Sequence, residues 1–211
     1  MDTLKPFEEV AEPDERWANF GYPDPVDLSF RPIALAERHA SIAATSLTPG
    51  VPEYIREHFE TAKNLLLYAW FVYRFIPVAE LHAYSTVEMA LKVRAKQESL
   101  QAKTLAPLLK IAIKRGWIVD EAFSNVRRER EAMEQEQEWR GQLGVPQTPE
   151  EQDSQRYCKM LLGSMPYLRN DLAHGSKTLH PGGVGTLAIC ADLINQLFKE
   201  QLTYSGPNSC L

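Results

Sequence analysis

The sequence predicts an all-α protein, an up-and-down bundle of four to six helices preceded by an irregular, proline-rich N-terminal arm. Three observations carry that prediction. From Pro52 to Phe198 the apolar residues recur at intervals of three and four, the period of helices that bury one face. No segment alternates apolar and polar residues convincingly, as a half-buried strand does. Finally, Pro6, Pro13, Pro23, Pro25, Pro32 and Pro49 recur through the first fifty residues. Each fixes φ and removes a backbone donor, which excludes long helices and central strands there.

The elements follow in order. Residues 1–50 form the arm; Trp17, Phe20 and Tyr22 supply large apolar groups with which it packs on the body, and one short helix is expected near 33–44. The body spans 51–204. Pro49-Gly50-Val51-Pro52 is a turn, and Pro52 suits the first turn of a helix. Leu65, Ala69, Val72 and Ile76 give that helix a continuous apolar face from about 53 to 75, with a stop near Pro77. A second helix, about 78–97, places Leu81, Tyr84, Ser85, Glu88, Leu91 and Lys92 at helical spacing. A third, near 104–115, ends at Gly116, since glycine enters the left-handed region without strain. Residues 120–141 are helical in period but very polar, with arginines and glutamates interleaved, and read as a solvated helix laced with ion pairs. Thr148-Pro149-Glu150-Glu151 reads as a helix start with a capping box. That helix runs past Pro166, where it could kink, to Gly175. After a loop at 176–184, a last helix near 185–201 carries Leu187, Cys190, Ala191, Ile194, Leu197 and Phe198, and 205–211 is a frayed tail.

Bulk properties narrow the functional classes. The 211 residues, 44% hydrophobic and 24% charged, are enough to bury a core without disulfides or a structural metal. Cys158, Cys190 and Cys210 are odd in number and widely spaced, which predicts reduced thiols in a cytoplasmic setting. No apolar run is long enough to span a bilayer, and Met1–Pro6 has no signal-peptide pattern. The net charge of -5 argues against salt-driven nucleic-acid binding over the whole surface, so any such contact must be local. His39, His58, His82 and His180 are scattered, with no HExxH or Cys/His cluster, so neither a metal site nor a cofactor is expected. Gly182-Gly183-Val184-Gly185 lacks the Lys-Ser/Thr of a phosphate loop and reads as a flexible connection.

The candidate site is Arg169-Asn170-Asp171-Leu172-Ala173-His174. Leu161, Met165, Leu168 and Leu172, spaced four, three and four, predict one stripe facing the core. Asn170 and His174 are four apart on another face and point outward, toward solvent or a partner chain. Arg169, one turn back, has a side chain long enough to reach the same space. A structural arrangement is also open, in which Arg169 pairs with Asp171 or Glu88 and His174 only closes the helix.

Arg169-Asn170-Asp171-Leu172-Ala173-His174-Gly175 resembles the Arg, four-to-six residues, His signature of HEPN domains. Glu88-Met89-Ala90-Leu91-Lys92 resembles the family's second helix, and residues 104–117 its short middle helix. The resemblance covers about residues 52–201. It implies a helical bundle, usually a homodimer with the two motifs facing each other, and in many members a metal-independent endoribonuclease of defence, toxin or stress type. His174 would then act as general acid or base, Arg169 would stabilise the phosphate, and Asn170 would orient the histidine or contact the phosphate. RNA is the implied substrate, and an antitoxin or other protein a possible partner. Other members are non-catalytic modules that bind a nucleotide or a protein.

Overall fold

The computed structural model describes residues 3–143, 153–176 and 179–199, and over these the fold is mostly helical. The arm holds a hairpin of β1 (Gly21–Pro23) and β2 (Phe30–Pro32), then α1 (Leu35–Ala43). The body follows with α2 (Glu53–Tyr68), α3 (Phe75–Gln97), α4 (Leu105–Lys114), α5 (Ser124–Gln142), α6 (Arg156–Ala173) and α7 (Gly183–Leu197). The frayed tail expected at 205–211 and the cap expected at Thr148-Pro149 lie outside the described residues. Residues 153–155 are not helical, so the helix bearing the motif begins at Arg156.

α3 is the central helix. It buries Ile76, Ala79, Ala83, Val87, Ala90 and Leu91, residues spread around much of its circumference. A helix apolar on several sides must be enclosed, and its alanines let neighbours approach closely. On one side lies α2, antiparallel: His58 meets Thr86 and His82, while Leu66 and Ile76 both border Gly183. On another side lies α7, parallel, with Gly183 near Ile76 and Thr186 bonded to Glu80. Phe59, Leu66, Leu91, Leu108, Met165 and Phe198 are among the fully buried side chains of the common core. Cys158 and Cys190 are buried free thiols; burial pushes both up, so they stay protonated and pack as small apolar groups.

Three sequence expectations need correction. The helix expected to run to residue 75 ends at Tyr68, and the next begins at Phe75 rather than 78. Pro77 therefore sits in a first turn, where its missing N–H costs nothing. The arm supports the break. Trp17 Nε1 donates to the Ala69 carbonyl, Arg38 to the Leu66 carbonyl, and the Asp14 N–H to the Trp70 carbonyl, while the Asp14 carboxylate accepts from the Tyr73 N–H. Carbonyls that a longer helix would satisfy internally are satisfied by the arm instead. Second, strands do occur, as a hairpin pairing Gly21 with Pro32, Tyr22 with Arg31 and Pro23 with Phe30. A two-stranded ribbon has only edge strands, which tolerate proline. Third, the last helix starts at Gly183, shortening the loop before it.

α5 has no buried residue and carries the ion pairs Arg130–Glu134 and Arg140–Glu136, as its mixed charge implied. Gly116 and Gly175 close α4 and α6 at φ +68° and +88°. The start of α6 is held from outside: Asp120, buried in a 3-10 turn, accepts the Tyr157 N–H at 2.7 Å and the Cys158 N–H at 2.9 Å. Asp120→Ala leaves both donors without a partner and is expected to cost about 1–3 kcal/mol in urea unfolding. A loss indistinguishable from zero would mean that water replaces the carboxylate.

Candidate functional site

α6 continues through Pro166 and carries the motif on its last two turns. Its buried residues are Cys158, Leu161 and Met165, followed by the half-buried Leu172. Leu168 does not join them; it is 43% exposed. Spacings of four and three lead from Met165 to Leu172 through 168 or through 169, and the structure takes the second route. Arg169 is thus turned toward α3, where its Nη2 lies 3.5 Å from Glu88 Oε2. This is one of the two pairings open from the sequence. Nη1 reaches Asn170 Oδ1 at 3.4 Å, a long contact, and Nε is shielded from solvent with no partner among the described residues.

Asn170 and His174 are exposed, as their spacing implied. His174 is the residue that ends α6, its N–H donating to the Asn170 carbonyl. Arg169 and His174 are not bonded to each other. The arrangement is a chain, Glu88 to Arg169 to Asn170, and the His174 side chain, one turn further on, has no partner among the described residues. Met160, Tyr167 and Leu168 are also exposed on α6, so the motif lies beside an outward apolar face.

Arg169 stands at one edge of an open groove of about 430 Å³. The rest is lined by one face of α3: Ser85, Glu88, Met89, Lys92, Val93 and Lys96. Glu88, only 13% exposed, also holds Lys92 Nζ at 2.6 Å. One carboxylate therefore orients two cations across the two helices.

The loop after His174 is anchored by a residue the sequence reading did not single out. Glu80 is buried on α3; Thr186 donates to its Oε1 at 2.7 Å, and His180 Nε2 lies 3.4 Å from its Oε2. The Gly182 N–H donates to His180 Nδ1, which leaves Nε2 as the protonated nitrogen facing Glu80. Burial pushes the Glu80 carboxyl up, against the bond from Thr186 and the electrostatic attraction of His180. A glutamate among Ile76, Ala79 and Ala83 on a buried face was the available signal.

His58 and His82, far apart in sequence, stack at 3.9 Å between α2 and α3. Thr86 donates to the His82 carbonyl and so accepts from His58 Nδ1 at 2.7 Å. Among the described residues no three potential metal ligands cluster, here or elsewhere. Burial, and secondarily His82, pushes His58 below its ordinary value of 6.5. The unfolded chain then takes up this proton at higher pH than the folded one, so stability is intact above 6.5 and falls as pH drops below it. Glu80 acts with the opposite sign, and a comparison with His58→Asn separates the two. The thermal midpoint of wild type should fall more between pH 7.5 and 5.5 than that of His58→Asn; parallel curves would remove His58 as the cause.

No family model, curated protein or solved structure matches this chain. None of the described helices is long and apolar enough to cross a membrane.

Proposed function

We propose that the chain is a metal-independent endoribonuclease of HEPN type that acts as a homodimer in a defence, toxin or stress role. The observation that carries this reading is His174, exposed at the end of α6 beside Asn170, one turn from an arginine held at the edge of a cation-lined groove. One imidazole removes the proton of the RNA 2′-hydroxyl, whose oxygen attacks the adjacent phosphorus. A second imidazole protonates the departing 5′-oxygen, and the product ends in a 2′,3′-cyclic phosphate. A single chain supplies one His174, so the second comes from another copy meeting the first across α6. The exposed Met160, Tyr167 and Leu168 give such a meeting apolar surface. Arg169, at the edge of the groove, stabilises the charge on the phosphorane with its guanidinium.

Asp171 adds a negative charge near the phosphate, and Glu88 already engages Arg169. The second contact favours the other reading, a non-catalytic module in which Arg169 braces α6 on α3 and the exposed face binds a nucleotide or a protein partner. Purified protein incubated with synthetic RNA in EDTA decides between them. The nuclease reading requires cleavage by wild type and loss of cleavage in His174→Ala. Equal cleavage by both would identify a contaminant, and none by either would move the assignment to the binding module. An antitoxin-type protein that copurifies and suppresses cleavage would place the nuclease in a toxin pair.

A further inference from the structure

We infer that the α3 face bearing Lys92 and Lys96 is a single-strand phosphate track leading into the Arg169 site, an inference that rests on the nuclease reading for its substrate. Lys92, Lys96 and Arg169 line the same groove, where Glu88 is the only carboxylate among the lining residues. Three cations against one anion leave the groove positive on a chain whose net charge is -5. Positive potential is thus concentrated where the proposed chemistry lies.

The two lysines differ in a way that suits a track. Lys92 is held by Glu88 and so has a set position. Lys96 is exposed, and its ammonium has no carboxylate partner among the described residues. They are one helical turn apart, about 6 Å along the axis, on the same face. Met89 and Val93, half-buried beside them, floor the groove with apolar surface. A cationic groove that tracks the backbone is what an unpaired strand needs for its phosphates, and the apolar floor lies against its sugars. A duplex, stiff and broad, has no comparable fit to a groove of about 430 Å³. Arg169 then holds the phosphate that is cut, and Lys92 and Lys96 hold those on one side of it.

The test uses the full chain with His174→Ala, so that RNA survives the measurement. Binding of a fluorescent single-stranded RNA is followed by anisotropy across a salt series, with and without Lys92→Gln and Lys96→Gln together. Each phosphate contact on a single strand contributes about 0.7 to the slope of log affinity against log salt, so the double variant should flatten that slope by about 1.4. Lys110→Gln, on the exposed side of α4, should leave the slope unchanged, and matched circular dichroism would establish that all variants fold. If wild type cleaves RNA while the lysine variants keep the full slope, the track is wrong and the nuclease reading stands. If the slope depends on the lysines but wild type cuts no RNA, the track stands and the nuclease reading falls. An equal loss of slope in Lys110→Gln would mean diffuse binding and would overturn the track, as would preference for duplex over single strand.

Discussion

Trp17→Ala is expected to lower the unfolding free energy by about 3–5 kcal/mol, the cost of emptying a buried aromatic site. Trp17 is 3% exposed, although it lies in the proline-rich arm. Its ring stacks on Trp70 at 5.8 Å, meets Tyr73 at 5.0 Å and carries the Arg38 guanidinium 4.1 Å from its centre. Truncation removes all three contacts and also the Nε1 bond to the Ala69 carbonyl at 3.0 Å. It also leaves Arg38, itself buried, beside a void. Trp17→Phe keeps most of the volume and loses the hydrogen bond, which isolates a cost of about 1 kcal/mol plus any unmet desolvation of the carbonyl. Equilibrium urea unfolding of the three proteins measures both parts. A loss below about 1 kcal/mol for Trp17→Ala would show that the break between α2 and α3 holds without the arm.

The second large effect is on chemistry. His174→Ala should reduce RNA cleavage by about 10²–10⁴-fold, the usual contribution of a positioned proton-transfer group. Because the residue is exposed and ends its helix, the same change should leave the thermal midpoint nearly unmoved. Rate and stability therefore separate, which a residue acting through packing could not achieve. Arg169→Ala should also abolish cleavage but with some loss of stability, since the side chain bridges α6 to Glu88 on α3. Arg169→Lys should restore the brace better than the rate, because a point charge can pair with Glu88 but cannot present a planar fork to phosphate. The assay is single-turnover cleavage of a labelled RNA in EDTA, with unfolding measured in parallel. A His174→Ala rate within a factor of two of wild type would end the catalytic assignment.

How much of this could be read from the chain depends on the kind of residue. The six body helices were legible because their apolar residues repeat with a fixed period, a local property. Where helices stop was legible at Gly116 and Gly175, whose left-handed backbone is local too. It was not legible at Tyr68, because that end is satisfied by Asp14, Trp17 and Arg38, between 28 and 59 residues away in sequence. The phase of α6 was off by one residue after Met165 for a similar reason. A leucine inside and an arginine outside is the better local choice, and the structure reverses it where Arg169 meets Glu88 on another helix. Asn170 and His174 were placed correctly since their exposure needs no partner. The stacked histidines and the groove wall at Lys96 are products of packing between helices, and period alone does not reveal them.

The polar side chains of α7 impose an order on how the molecule can be made. Asp192 accepts the Ser124 N–H at the start of α5, Gln196 accepts the Val119 N–H, and Asn195 bonds both the Thr48 N–H and the Ser46 carbonyl. These contacts close separations of 68, 77, 147 and 149 residues. While the chain emerges from the ribosome, its earlier helices can pair, but the turn before α2 and the entry to α5 wait for partners not yet synthesised. At about 5–20 residues per second that wait lasts about 3 to 30 seconds, during which the groove between α2 and α3 that α7 fills is open to solvent. With so much of its closure assigned to one late helix, the molecule depends on contacts of high sequence separation, and these slow folding.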